Sequence, residues 1–246
     1  MNTEDKTWLN RTKLLLKETG LNKLVNSNIL IVGLGGVGAY AAENICRAGV
    51  GKMTIIDGDT INETNINRQL PALNSNIGEY KADILEKRFL DINPELKLKC
   101  INQFITADNI QEILDSEKYT YIIDAIDSLS PKVTLCLEAR KRNIPIICSM
   151  GAGGRIDPSK IEITDISKTY NDGLAAAFRQ KLRKEGVKSG VKVVFSSETA
   201  KKDAISTTET DQHAIRSVRG TISYLPAIFG CMLAGYVIQQ IVVNNS

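Results

Sequence analysis

The amino-acid sequence predicts an α/β protein with a doubly wound, mainly parallel sheet, followed by a smaller, mixed and partly antiparallel C-terminal half. Up to about residue 155, apolar runs alternate with amphipathic segments of about ten residues, as in successive strand–helix units. A cluster of glycines directly follows the first apolar run. Beyond residue 155 the pattern changes to an alternating strand, a helix and a further strand. We therefore expect one domain over residues 1–246, with halves of about 1–155 and 156–246.

Each element of the first half is predicted from the spacing of its apolar residues. Leucines at helical spacing predict a helix over 10–24, which Gly20 divides into two short pieces. Short apolar runs predict parallel strands, because such strands are covered by helices on both faces. The predicted strands are 29–32, 52–56, 96–101, 121–125 and 144–149, and the predicted helices are about 37–47, 81–90, 108–114 and 132–142.

The second half begins after a second glycine turn at 151–154. Residues 161–166 alternate like an antiparallel strand, 171–185 are typical of a helix, and 191–195 form another apolar run. The segment 199–219 is polar, and we expect it to be mobile. Residues 224–243 are apolar but contain Pro226, Gly230 and Gly235, which favours a buried or interface helix over a membrane span.

Composition narrows the class of protein. A net charge of +3 permits a nucleic-acid partner without requiring one. The polar first residues do not resemble a secretory signal, so we expect a cytoplasmic protein with no membrane partner. Five cysteines are widely spaced and contain no CxxC pair, which indicates reduced thiols and argues against a structural zinc site.

The stretch 28–59 carries the most specific chemical signal. Gly33, Gly35, Gly36 and Gly38 let the backbone approach a phosphate closely, and the following helix points its free N–H groups at the same place. Asp57 ends the second strand roughly 20 residues past the turn, where such folds bind ribose hydroxyl groups. The sequence therefore predicts a nucleotide site.

The glycines and Asp57 do not distinguish a dinucleotide from ATP. An enzyme that cleaves a phosphoanhydride must offset charge on the departing phosphates, for which Arg68 and Lys81 are candidates. Asp127 follows a predicted strand and is a candidate Mg²⁺ ligand. Alternatively, Arg68 and Lys81 are solvated surface residues.

Further motifs resemble a known family. GLGGVG, IIDGD, NINRQ, GEYKAD and DAIDS occur in an order and spacing similar to the ubiquitin-activating-enzyme-like superfamily, which includes MoeB and ThiF. RTKLLL, RAGVG, DINPEL and SMGAGGRIDPSKI resemble one branch, the tRNA threonylcarbamoyladenosine dehydratases. The resemblance covers about residues 8–165 and implies a Rossmann-like domain that activates a carboxylate with ATP and Mg²⁺.

The resemblance implies roles for the matching residues. Those implied to bind the nucleotide are Gly33, Gly35, Gly36, Gly38, Asp57, Asp59, Asn65, Arg68, Gln69, Lys81, Asp127 and Ser128. Asp127 is implied to hold Mg²⁺. The residues implied to act in catalysis are Arg11, Arg68, Lys81 and Asp127. Arg11 matches an arginine that the superfamily sends into its partner's site, which implies a homodimer. A sulfur-transfer protein is an optional further partner.

The implied reaction begins with attack of the threonyl carboxylate on the α-phosphorus of ATP, with release of pyrophosphate. The neighbouring carbamoyl oxygen then attacks the acyl adenylate, and AMP leaves. Relatives that pass their adenylate to a thiol keep a cysteine after the sheet, but residues 155–230 contain none. Cys231 falls in an apolar segment, where we expect a buried thiol with a raised pKa and little nucleophilicity.

A tRNA substrate requires cations outside the nucleotide site. Arg179, Arg183, Lys184 and Lys188 are the candidates, although charge runs are commonly solvated faces. His213 is the only histidine, and a proton-transfer role for it stays open. Two other functions also stay open: adenylation of a sulfur-carrier or ubiquitin-like C-terminus, and a nucleotide-binding scaffold or NAD-dependent oxidoreductase.

Overall fold

The computed structural model describes residues 7–209 and 215–243. Its helices are α1 Asn10–Val25, α2 Gly38–Arg47, α3 Lys81–Ile92, α4 Ile110–Asp115, α5 Leu129–Lys141, α6 Gly173–Lys184 and α7 Tyr224–Val243. Its strands are β1 Asn28–Val32, β2 Lys52–Ile56, β3 Lys97–Ile101, β4 Tyr121–Asp124, β5 Ile146–Ser149, β6 Ile161–Asp165, β7 Lys192–Ser196, β8 Ile205–Glu209 and β9 Ile215–Arg219.

Both halves of the chain build one seven-stranded sheet of order β3-β2-β1-β4-β5-β7-β6. Every neighbouring pair is parallel except β6 and β7, which are antiparallel. The predicted fold class is therefore confirmed. The strand order reverses between β1 and β4, and the crevice outside the carboxyl ends of these strands is where such sheets bind ligands.

Two apolar clusters cover the two faces of the sheet. In β1, Ile29 and Ile31 pack in the cluster that includes residues of α2, α3 and α7, whereas Leu30 and Val32 pack in the cluster of α4, α5 and α6. Successive side chains of a strand point to opposite faces, so a strand buried on both faces must be apolar throughout. This requirement explains the uninterrupted apolar run that predicted β1.

The break in α1 lies at Lys17, so the prediction that Gly20 divides this helix is wrong. Lys17 has φ 61° and ψ 173°, which interrupts the helical backbone. Gly20 instead lies against α7, because a Cβ there would lie 3.0 Å from the Leu16 Cβ and 3.2 Å from Val242 Cγ1. The glycine permits close packing of two helices, and its helical conformation is retained.

The polar segment 199–219 contains structure that the sequence analysis did not predict. β8 and β9 pair as an antiparallel ribbon, with Ile205 opposite Arg219. His213 lies outside the described residues. The mobility of this segment stays a prediction.

The apolar C-terminal segment forms α7, which packs closely on α2. Added to Gly230, a Cβ would collide with the Val37 carbonyl, so glycine permits this approach. The buried side chains of α7 include Phe229, Leu233 and Val237. By length and composition the helix could cross a membrane, and 39% of its most apolar window is buried in the fold. One face of α7 therefore lies in the core, as expected for the buried or interface helix that the sequence favoured.

Candidate nucleotide-binding site

The first glycine turn joins β1 to α2 at the carboxyl edge of the sheet. Gly33 has φ 85°, and a Cβ on it would lie 2.8 Å from the Ala125 carbonyl oxygen. A Cβ on Gly38 would collide with the Gly33 carbonyl. Around Gly35 the space is open, since an added Cβ would meet only Gln69 Nε2, at 3.8 Å. The turn therefore exposes backbone toward one side, as phosphate binding requires.

α2 begins at this turn without a side-chain cap. Its N-cap residue, Val37, accepts no side-chain hydrogen bond from the first helical N–H groups. Unbonded N–H groups and the positive end of the helix dipole favour an anion. Gly36 faces the loop that follows β2, because its added Cβ would lie 3.3 Å from Arg68 Cγ. The glycine turn, the start of α2 and the loop after β2 therefore lie together at the carboxyl edge of the sheet.

Asp57 and Lys81 lie together at the end of β2. The Asp57 carboxylate accepts hydrogen bonds from the Leu34 N–H at 2.6 Å and the Asp59 N–H at 2.8 Å, which connects the strand end to the glycine turn. The Lys81 ammonium lies 2.9 Å from Asp59 Oδ2 and 4.0 Å from Asp57 Oδ1. Burial raises the pKa of Asp57, and Lys81 opposes that rise. Lys81 is 3% exposed, which excludes the interpretation as a solvated surface lysine.

The loop 57–80 presents polar side chains to the same crevice. Asn65 Oδ1 accepts a hydrogen bond from the Asn62 N–H at 3.1 Å and so orders the loop. Gln69 is buried, and its Oε1 has no hydrogen-bond partner. A buried unsatisfied acceptor is costly, so this atom is suited to receive a ligand donor. Arg68 donates to the Thr64 carbonyl at 2.9 Å; burial lowers its pKa, and Asp127 opposes that fall.

Asp127 lies in the loop between β4 and α5. β4 ends at Asp124, one residue earlier than predicted, and Asp127 follows it. The Asp127 carboxylate accepts a hydrogen bond from Ser128 Oγ at 3.3 Å. The Ala125 N–H donates to the Val32 carbonyl at 2.8 Å, which holds the loop beside the glycine turn. Asp127 and Ser128 therefore lie at the same sheet edge as Asp57.

Lys132 is a residue of this region that sequence reasoning missed. Its ammonium lies 2.7 Å from Asp124 Oδ2, and both side chains are completely buried. A lysine in a helix ordinarily indicates a solvated position. The only sequence signal was an acidic residue eight positions earlier, at the end of a strand.

The cations predicted to contact tRNA lie on and after α6. β7 runs parallel to β5, so α6 leads from the carboxyl edge of the sheet toward its amino edge. Arg183, Lys184 and Lys188 are exposed near that far end. Arg179 donates to the Thr169 carbonyl at 3.0 Å and lines a shallow groove of about 580 Å³ with Arg183 and Lys184. These residues are not at the glycine turn.

Arg11 is exposed on the first piece of α1. Within residues 7–209 and 215–243, no described contact joins Arg11 to the glycine turn. Its implied role in a partner's site stays a prediction.

Cys231 is exposed on α7, so the prediction of a buried thiol is wrong. α7 is apolar around its whole circumference, and the helix buries only one face. Asn44 Nδ2 lies 3.6 Å from Cys231 Sγ. Cys46, Cys136 and Cys148 are buried, and Cys100 is half-buried.

Comparison with known proteins identifies the family of this chain. The family model described as ThiF family matches residues 9–245. The chain belongs to the ThiF family. This confirms the resemblance that the motifs suggested.

Two curated members of the ThiF family illustrate the similarity. A Bacillus subtilis (strain 168) protein named tRNA threonylcarbamoyladenosine dehydratase is 38% identical over 237 residues, covering 94% of this chain and 93% of the relative. An Escherichia coli (strain K12) protein of the same name is 43% identical over 194 residues, covering 76% of this chain and 72% of the relative.

A solved ThiF-family structure has the same fold. It is the E. coli tRNA N6-threonylcarbamoyladenosine dehydratase, TcdA, in complex with ATP, which matches with a TM-score of 0.86 and 35% identity. The match covers 95% of this chain and 93% of that chain. The sheet that positions the candidate site is therefore shared with an ATP-binding relative.

Proposed function

We propose that this chain is an ATP-dependent tRNA threonylcarbamoyladenosine dehydratase. The observation that carries the proposal is the buried Lys81 ammonium at the carboxyl edge, with Arg68 close enough to Asp127 to interact electrostatically. A dehydrogenase leaves its pyrophosphate intact and needs few such cations, whereas phosphoanhydride cleavage requires them. The similarity to curated dehydratases over most of the chain supports the same substrate class.

The site fits ATP. The open side of Gly35 and the uncapped start of α2 suit the phosphates, and Lys81 offsets their charge. Both Asp57 oxygens retain lone-pair capacity beyond the two backbone hydrogen bonds, so the carboxylate can also accept from ribose hydroxyl groups. The free Gln69 Oε1 can accept a further donor.

Asp127 is the proposed Mg²⁺ ligand. Magnesium ions at phosphate sites commonly use one or two carboxylates together with phosphate oxygens and water. Within the described ranges 7–209 and 215–243, no cluster of three or more His, Cys, Asp or Glu side chains could hold a metal. A single carboxylate completed by phosphate fits this donor set. When bound, the ion would neutralise charge on the phosphate oxygens.

The acceptor is a carboxylate on the RNA. A threonyl carboxylate oxygen bonds to the α-phosphorus as the bond to pyrophosphate breaks. The carbamoyl group of the same side chain then attacks the activated carbonyl, and AMP departs with the carboxylate oxygen. The net change in the nucleoside is the loss of one water. Because the second nucleophile is tethered, high effective concentration replaces a protein carrier.

We include a homodimer in the proposal. Leu14 and Leu15 are 75% and 79% exposed on the first piece of α1, beyond the break at Lys17. Large exposed leucines on α1, together with the apolar exposed side of α7, suit contact with a second copy. Arg11 on the same piece would then reach the partner's site.

The exposed cations at the end of α6 are the proposed contacts for the tRNA backbone. Substrate and reaction indicate a cytoplasmic location. The reaction involves no sulfur, so a sulfur-transfer protein would act only as an auxiliary partner.

ATP–pyrophosphate exchange tests the proposal. Labelled pyrophosphate should enter ATP only when tRNA carrying threonylcarbamoyladenosine is present, because adenylation of the carboxylate is reversible. Unmodified tRNA is the matched control. Exchange supported by a sulfur-carrier C-terminus and not by modified tRNA would favour the alternative adenylating function.

A further inference from the structure

The Asp127 carboxylate is exposed, and the one hydrogen bond described for it comes from its neighbour Ser128. Its position therefore depends on the backbone of residues 125–128. On one side this loop is held by the Ala125 N–H, which bonds to the Val32 carbonyl. The loop is also held by two buried charged side chains that have no role in the proposed reaction.

Those groups are Asp124 and Lys132, which bracket the loop. Asp124 Oδ1 accepts from the Ile126 N–H at 3.0 Å, and Oδ2 accepts from the Lys132 ammonium at 2.7 Å. The backbone N–H of Lys132 donates to the Ser128 carbonyl at 3.4 Å, an ordinary bond at the start of α5. The ion pair thus ties the residue before Asp127 to α5, the helix that begins after it.

The pair is completely buried. Both side chains have no exposed area, and the Phe178 ring of α6 lies 5.8 Å from the Lys132 ammonium. Desolvation of two charges costs several kcal/mol per ion, so a buried pair is weak evidence for stability, and apolar residues often serve as well. Its location under the loop favours a positioning role.

We propose that the Asp124–Lys132 pair is a positioning device for the Asp127 carboxylate, setting where that carboxylate meets the metal–triphosphate. The proposal rests on the proposed function, because it takes Asp127 as the Mg²⁺ ligand. Lys132 acts through the loop backbone and does not touch the nucleotide. Removing its ammonium takes away the partner that fixes Asp124 Oδ2, so the Asp124 side chain can move and its hold on the Ile126 N–H and on the loop above weakens.

The test compares the affinity of the full chain for ATP with saturating Mg²⁺ and with EDTA, measured by calorimetry. For wild type, Mg²⁺ should tighten ATP binding. In Lys132→Met that gain should fall by about 10-fold or more, the range found when groups supporting a metal ligand are removed. Affinity for metal-free ATP should change by less than about twofold, because Lys132 does not contact the phosphates.

Arg155→Met is the matched control. Arg155 is also buried and lies 3.4 Å from Asp172 in a second buried ion pair, next to the second glycine turn. Both variants should lower the unfolding temperature, but only Lys132→Met should reduce the Mg²⁺-dependent gain. An unchanged gain in folded Lys132→Met, or an equal loss in Arg155→Met, would overturn the proposal.

Two further variants distinguish failure of the positioning role from misfolding and from a wrong metal assignment. If Lys132→Met does not fold, Lys132→Arg retains the charge but places a larger, planar head beside Asp124, and a several-fold loss of the gain is expected; a full gain would overturn the positioning role. Asp127→Ala should abolish the gain. If it does not, the metal assignment in the proposed function fails, whatever Lys132 does.

Discussion

The Lys81 ammonium is almost completely buried and lies 2.9 Å from Asp59, whose side chain is 56% exposed. One partner of this ion pair is thus fixed in the fold while the other faces solvent. We expect a bound triphosphate to meet the ammonium from the Asp59 side, without movement of Lys81. Electrostatic stabilisation of this kind requires no reorganisation during the reaction.

Lys81→Met should reduce the rate of ATP–pyrophosphate exchange by about 10²–10³-fold, the usual effect of removing one preorganised charge-stabilising group. Lys87→Met, on the same helix, is the control, because Lys87 is 73% exposed and pairs with Glu79 at 3.6 Å. The control should exchange at the wild-type rate. Equal exchange rates for the two variants would show that Lys81 does not stabilise charge on the phosphates.

Gly38→Ala should destabilise the protein by about 3 kcal/mol or more, because the new Cβ collides with the Gly33 carbonyl and forces α2 away from the turn. Gly78→Ala is the comparison. Gly78 has φ 91° and open space around it, so only backbone strain of about 1–2 kcal/mol is expected. Urea unfolding measures both, and the reverse ranking would contradict the described turn.

Stability should depend on pH through Glu43. Burial raises the pKa of Glu43, but hydrogen bonds from Arg88 and Arg47 outweigh it, so the folded-state pKa is lowered. A lowered carboxyl pKa contributes stability above the ordinary value of about 4.3, and this is lost as pH falls through the folded-state pKa. Glu43→Gln should therefore be less stable than wild type at pH 7, with a difference that shrinks below about pH 4. A constant difference would contradict the assignment.

Mixed dimers test the role of Arg11. Arg11→Ala and Asp127→Ala should each be inactive alone. If Arg11 completes the partner's site, mixing and refolding them should restore about a quarter of wild-type activity, because half of the random dimers carry one intact site. Leu14→Glu should sediment as a monomer and should be inactive. If mixed dimers form but no activity returns, Arg11 does not complete the partner's site.

Cys231→Ser should retain full activity, since the tethered carbamoyl group makes a thiol carrier unnecessary. The exposed thiol makes this a real test. Trapping of a thioester on Cys231 would instead support the alternative in which a protein carboxylate is the acceptor.

The sequence predicted features whose chemistry is local. The glycine turn, the strands β1 to β7 and the acid that follows β2 come from short patterns, and the structure has each of them. Even the antiparallel pairing of β6 was visible, because its residues alternate.

Features that depend on distant partners were not predictable in the same way. Gly20 is glycine because of Val242, a contact between the two ends of the chain. The buried Lys132 resembles a surface lysine until Asp124 is placed beneath it. An apolar helix such as α7 does not show in its pattern which face is buried, so Cys231 was misplaced.

The most direct test of the central claim is mass spectrometry of nucleosides from tRNA carrying threonylcarbamoyladenosine, incubated with this protein, Mg²⁺ and ATP. The modified nucleoside should lose the mass of one water, with one AMP and one pyrophosphate formed per conversion. An unchanged nucleoside with a fully folded protein, or conversion that needs no ATP, would contradict it.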